Sequence, residues 1–191
     1  METPAGDLIK ESAVIAQVAI ELNHGKGVDV VPADPIQAAL MRLQIEECNK
    51  WMMPIYQCYG SRGEDPEKNK NLIPTIQNFN ALIEKANGKF MFGTDEPTML
   101  DCWFTPFLET FVDWRAPNVM ANVLEDCEWD LHGKSIDAYV KKMREHTKIK
   151  PVYMNTAAAL KHWERTRGWD KSEKCQLTVC YLAESFDSHP Q

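Results

Sequence analysis

The six cysteines of this chain include no Cys-x-x-Cys pair, and its five histidines form no His-Glu-x-x-His. The first absence removes the common zinc clamp and the dithiol redox site, the second the helix-borne zinc site of metalloproteases. No metal site is expected. Positive charge is also in short supply, with 28 acidic against 21 basic side chains and a formal net charge of -7. That balance repels phosphate backbones and anionic lipid heads, so no nucleic-acid partner is expected. No apolar run approaches the length that spans a bilayer, so no membrane span is expected either. The N-terminus lacks the basic-then-apolar order of a secretion signal, which points to a cytoplasmic location, cytosol or organelle matrix. There is no internal repeat and no low-complexity stretch.

What is present is the material of a packed globule. Hydrophobic residues make up 44%, with six Trp and seven Phe among them, enough for a single core or a modest core in two halves. Cys48, Cys58, Cys102, Cys127, Cys175 and Cys180 are expected to be free and mostly buried.

The periodicity is helical almost throughout. Leu8 to Ile20 fits a short helix with Ser12 near its start and Val14, Ile15 and Val18 on one face. Two glycines, Gly25 and Gly27, end it, and Val31-Pro32-Ala33-Asp34-Pro35 makes a stiff connector. Asp34 is placed to cap a new helix with Pro35 at its first position. That helix is expected to reach about Tyr59, kinked at Pro54. It carries two apolar stripes, Ile36-Leu40-Leu43 and Met41-Ile45-Cys48-Met52-Ile55-Tyr59, which imply two buried faces. Gly60 to Lys70 is polar and glycine-containing, hence a loop, and a further helix fits Asn71 to Ala86, stopped by Asn87-Gly88.

The most informative segment runs from Thr94 to Asp101. Thr98 and Asp101 have the spacing of a capping box, with Asp where Glu or Gln is commoner. The hydroxyl of Thr98 can accept the Asp101 amide while the Asp101 carboxylate accepts the Thr98 amide. Cys102, Trp103, Phe104, Phe107, Leu108, Phe111 and Val112 follow, apolar nearly all round, as in a central buried helix. Further helices fit Ser135 to His146 and Pro151 to Arg167, and the class is all-α.

Three motifs, in order, resemble the glutathione-transferase family. Glu11-Ser12-Ala13-Val14-Ile15-Ala16 resembles the segment that opens the third helix of its thioredoxin-like domain. Pro32-Ala33-Asp34-Pro35, with Ala38, Ala39 and Arg42, resembles the interdomain linker and the first helix of its C-terminal helical domain. Gly93 through Asp101 resembles the capping box of that domain's central helix, and Asp101-Cys102-Trp103-Phe104-Thr105-Pro106 stands closest to the omega, dehydroascorbate-reductase and intracellular-chloride-channel branch. Met1 to Gly6 resembles the fourth strand and turn of the thioredoxin-like domain.

The resemblance implies residues 1–27 as a strand and helix remnant of a thioredoxin-like domain and 28–191 as a helical bundle of the C-terminal type. The nucleophile-activating helix and the cis-proline loop of the family have no counterpart here, so no residue is assigned a catalytic role. Glu11 and Ser12 are the glutathione contacts the resemblance carries over: a helix N-terminus with a hydroxyl suits a carboxylate, and an acid suits an ammonium. Against that stands the reading that Ser12 merely caps its helix and Glu11 is a solvated acid. Met53, Tyr56 and Trp163 are candidates for the wall of an open hydrophobic substrate pocket, with core packing as the competing reading. Thr98 and Asp101 are read as structural. The implied function is a non-catalytic binding or assembly module, without bound cofactor. The alternative is an omega-like glutathione transferase or dehydroascorbate reductase, using glutathione as co-substrate, whose activating residue lies upstream of Met1. A homodimer or a place in a larger assembly is expected, with Val14, Val18 and the Met41-Ile45 stripe near the contact.

Overall fold

The computed structural model describes residues 1–23, 29–114, 121–147, 149 and 150. The expected helix from Pro151 to Arg167, with Trp163, and the cysteines Cys175 and Cys180 lie outside the described residues.

The described residues are helical and contain no strand, so the all-α class holds. Where a strand and turn were expected, Met1 to Ile9 fold into a tight reversal closed by one antiparallel bridge between Glu2 and Leu8. A strand is defined by its ladder, and one bridge is too short to be one. Leu8 is thereby committed to the reversal, and α1 begins later than expected, at Ser12–Leu22.

Helix α2, Pro35–Asn49, starts as its sequence dictates: Asp34 Oδ1 accepts the Gln37 amide at 2.8 Å, and Pro35 needs no partner at the first position. It does not continue to Tyr59. Lys50, Trp51 and Met52 form a tight turn in which each amide reaches back three residues, and α3 restarts at Met53–Gly60. Pro54 therefore sits in the first turn of α3, where its missing N–H costs nothing, and not at a kink. The Trp51 carbonyl released by the break accepts the Thr75 hydroxyl at 2.8 Å.

The expected loop after Gly60 holds one more turn of helix, α4, Pro66–Lys70. It repeats the Asp-Pro start of α2, with Asp65 Oδ1 accepting the amides of Glu67 and Lys68. Its polar residues are tied down. Asn69 is fully buried, donates to the Gly63 carbonyl at 2.9 Å and to Asp126 at 2.9 Å, and accepts the Cys58 thiol at 3.4 Å. Gly63 also accepts the Asn122 amide at 2.6 Å.

Helix α5, Leu72–Lys85, lies within a residue of its expected span at each end, and α6, Met99–Asp113, starts directly after Thr98. Asn87 and Gly88 close α5 with positive φ angles of 49° and 80°, the left-handed geometry a helix stop requires. Short helices α7, Ala121–Asp126, and α8, Trp129–His132, precede α9, Lys134–Glu145. Gly133 lies flat beneath the Trp129 indole, where a Cβ would collide with the ring.

Helix α6 is the axis of the bundle, packed against α2 on one side and α9 on the other, while α5 packs against α8 and α9. Phe104, Leu108 and Phe111 of α6 are fully buried, with Phe79 against Phe104 and Trp129 stacked on Phe111 at 5.1 Å. Pro106 interrupts the α6 ladder, but the neighbouring threonines engage its carbonyls: Thr105 donates to Asp101 O at 2.6 Å and Thr110 to Pro106 O at 3.1 Å.

The two stripes of α2 have opposite fates. Met41, Ile45 and Cys48 are buried in the core, whereas Ile36, Leu40 and Leu43 are 66%, 47% and 59% exposed. The expected second buried face is thus a solvent face of the described structure. The Met41-Ile45 stripe, expected near a subunit contact, is already occupied by the chain's own core. Val14 is exposed and Val18 half-buried, while Ala16 and Ile20 are the α1 residues that touch the core.

Candidate functional site

Glu11 and Ser12 stand at the start of α1, both exposed. Glu11 occupies the cap position with φ 66°, an uncommon conformation for a residue with a Cβ, and neither side chain caps the helix. The competing reading of Ser12 as a helix cap does not hold, because Ser12 is itself the first helical residue. Ile15 N–H is satisfied by the Glu11 carbonyl at 3.0 Å.

Met53 and Tyr56 share the outer face of α3, at 61% and 52% exposure. The Tyr56 ring meets Tyr59 and Phe107 edge-on, at centroid distances of 6.5 and 6.0 Å. Neither residue belongs to the core, unlike Met52 beside them, which is buried.

Thr98 and Asp101 form the expected box and a larger network that the sequence does not reveal. Both reciprocal halves of the box are present. Asp101 Oδ2 accepts the Thr98 amide and hydroxyl, each at 2.7 Å, and Oδ1 accepts the Met91 amide at 2.7 Å and the Tyr139 hydroxyl at 2.6 Å. A fully buried carboxylate is expensive unless its lone pairs are filled, and here all four acceptor positions are. Burial and then the Asp101 charge hold the Tyr139 phenol well above its ordinary value, so it stays a donor. This is a structural joint between the helix start, the 90–93 turn and α9, closed to ligands.

The four described thiols are quiescent. Burial, assisted by Glu47, pushes Cys48 up to about 12; burial, assisted by Asp126, does the same to Cys58; burial and then Cys58 raise Cys127 to about 12. Cys102 is exposed, contrary to the expectation of a buried helix start, because Asp101, Phe104 and Thr105 take the inward side of that turn. Desolvation and then Asp101 still raise it to about 11. Among the described residues no group of three or more His, Cys, Asp and Glu is arranged to hold a metal.

Two clefts stand out among the described residues. One, of about 260 Å³, lies between α5 and α9, where Lys142 donates to the Gly88 carbonyl at 2.7 Å and rests 3.8 Å from the Phe90 ring centroid. The other, of about 440 Å³, opens between the C-terminal half of α1, the 29–33 connector, α2 and the first residue of α6. Its walls are Ile20, Val30, Val31, Pro32 and Met99, and its polar groups come from Gln17, Glu21, Asn23, Asp29 and Arg42. The Val30 carbonyl accepts the Met99 amide at 2.7 Å, which fixes the connector against the start of α6 and so fixes the cleft's floor. In the sequence Arg42 stands out only as a member of the linker motif.

The described residues therefore form an α-helical bundle with an exposed apolar row on α2 and a mixed cleft at the connector. No protein-family model matches the chain, and no curated protein is significantly similar to it. None of the described helices is long and apolar enough to cross a membrane.

Proposed function

We propose that this chain is a non-catalytic binding or assembly module of the glutathione-transferase C-terminal kind, and that it self-associates through the outer face of α2. The observation that carries the reading is the row Ile36, Leu40 and Leu43, all exposed, at the i, i+4, i+7 spacing that places them on one side of a helix. Single exposed leucines are ordinary, but a row of three large apolar side chains along one helix is the form a partner helix can use. The order of the three sequence motifs supports the family assignment, and the raised pKa values of the four described thiols favour binding over thiol-transfer chemistry at those sulfurs, which needs a lowered pKa.

Light scattering of the full chain at micromolar concentration tests the proposal. The wild-type chain is expected above monomer mass, and the double substitution Leu40→Glu, Leu43→Glu is expected to give a monomer with an unchanged helical spectrum. A compact, cooperatively melting wild-type monomer that binds no apolar-surface dye overturns it.

A further inference from the structure

We infer that the cleft between α1, the connector and α2 is a binding site for a small amphipathic monocarboxylate, held by Arg42. This goes beyond the assembly role and does not depend on it. A volume of about 440 Å³ is within the range of small-molecule sites, which combine apolar walls with a few placed polar groups. Ile20, Val30, Val31 and Met99 supply the walls, and the Met99 to Val30 hydrogen bond holds two of them in register without a ligand.

Arg42 is the group that sets the chemistry. Its guanidinium has no hydrogen-bond or ion-pair partner among the described residues, although acids share the cleft. A planar fork of donors beside apolar walls matches a carboxylate that carries a hydrocarbon body, through two parallel charge-assisted hydrogen bonds. Glu21 on the same cleft sets the charge limit. One arginine matches one negative charge, and a second on the ligand meets the Glu21 carboxylate, so a monoanion is favoured over a dicarboxylate or a phosphate monoester.

Calorimetry on the full chain with 4-phenylbutyrate tests the assignment, with neutral 4-phenylbutyramide, cationic 4-phenylbutylamine and dianionic phenyl phosphate as comparison probes. Saturable one-to-one binding of the acid is expected, with methyl signals of Ile20, Val30, Val31 and Met99 shifting. Arg42→Gln is expected to lower affinity at least about tenfold, as loss of a charged hydrogen-bond partner does, and the amide should bind the wild type no better than the acid binds the variant. Because Arg42 is exposed and unbonded among the described residues, the variant should melt as the wild type does. Ala33→Trp, which places a ring at the cleft wall, should also abolish binding while leaving Arg42 in place. Absence of saturable binding, equal affinity of wild type and Arg42→Gln, or tighter binding of the amine or the dianion overturns the assignment.

Discussion

The Tyr139 hydroxyl donates to Asp101 Oδ1 at 2.6 Å, joining α9 to the start of α6 across 38 residues of sequence. The contact turns a local helix cap into a tertiary one. The carboxylate that closes the first turn of α6 also receives the Met91 amide from the preceding turn, so three segments share one charge.

Asp101→Ala should be among the most destabilising single substitutions in the described structure. It removes the cap and strands the buried donors of Met91, Thr98 and Tyr139, for a loss on the order of 3 kcal/mol or more. Tyr139→Phe removes one donor to a buried carboxylate and should cost about 1.5–3 kcal/mol. Chemical denaturation of both variants and the double variant checks this. Strict additivity of the two would mean that the 2.6 Å contact carries no coupling.

The local half of that joint was legible and the distant half was not. Thr98 and Asp101 are three residues apart, so the box follows from spacing alone. Nothing in a single sequence marks Tyr139 as its partner, because packing, not neighbourhood, brings α9 there. The same distinction explains the α2 break. Continuing the helix through Pro54 would have left the Lys50 carbonyl unpartnered and forced the proline ring against it; stopping at Asn49 lets Thr75, from another helix, take the Trp51 carbonyl instead. The turn of α4 was readable in principle, since Asp65-Pro66 repeats the Asp34-Pro35 signature. Of the stripes on α2, periodicity showed that both exist but carried no information on which one the core would claim. The connector cleft was invisible for a similar reason, because its walls come from four separate segments.

The Asp113 and Arg144 pair, 3.0 Å apart between α6 and α9, should behave against its appearance. Burial raises the Asp113 carboxyl above its ordinary 3.8 despite the lowering contributed by Arg144. A carboxyl with a raised folded-state pKa contributes stability that is full below its unfolded value and is lost as pH rises through the folded value. Asp113→Asn, which keeps an acceptor for Arg144, should therefore gain on the wild type as pH climbs from about 4. Melting temperatures of the two proteins from about pH 4 to about pH 8 provide the measurement; a wild-type advantage that grows with pH would show that the ion pair outweighs burial.

Native-state alkylation should pass over the core thiols. With Cys48, Cys58 and Cys127 buried and raised to about 12, peptide mapping after iodoacetamide treatment near neutral pH should find these three unmodified until the chain is denatured. The non-catalytic reading in turn predicts no thiol-transferase turnover from the purified chain with dehydroascorbate. Rapid native labelling of Cys58 would refute the packing around Asn69, and turnover abolished by substituting a residue of this chain would refute the non-catalytic reading.

The cluster around Asn69 changes what the Gly60-Ser61-Arg62-Gly63 segment is. By composition it is the place to cut the chain or to insert a tag, since glycine and charge at a helix junction mark an expendable loop. A protease must draw such a segment out as extended chain, and that here means detaching the Gly63 carbonyl from both Asn69 and Asn122. The Asn69 bridge to Asp126 then goes with it, and α4 loses its hold on α7. The junction is a keystone in the disguise of a linker, and an engineer looking for a permissive insertion point should look elsewhere.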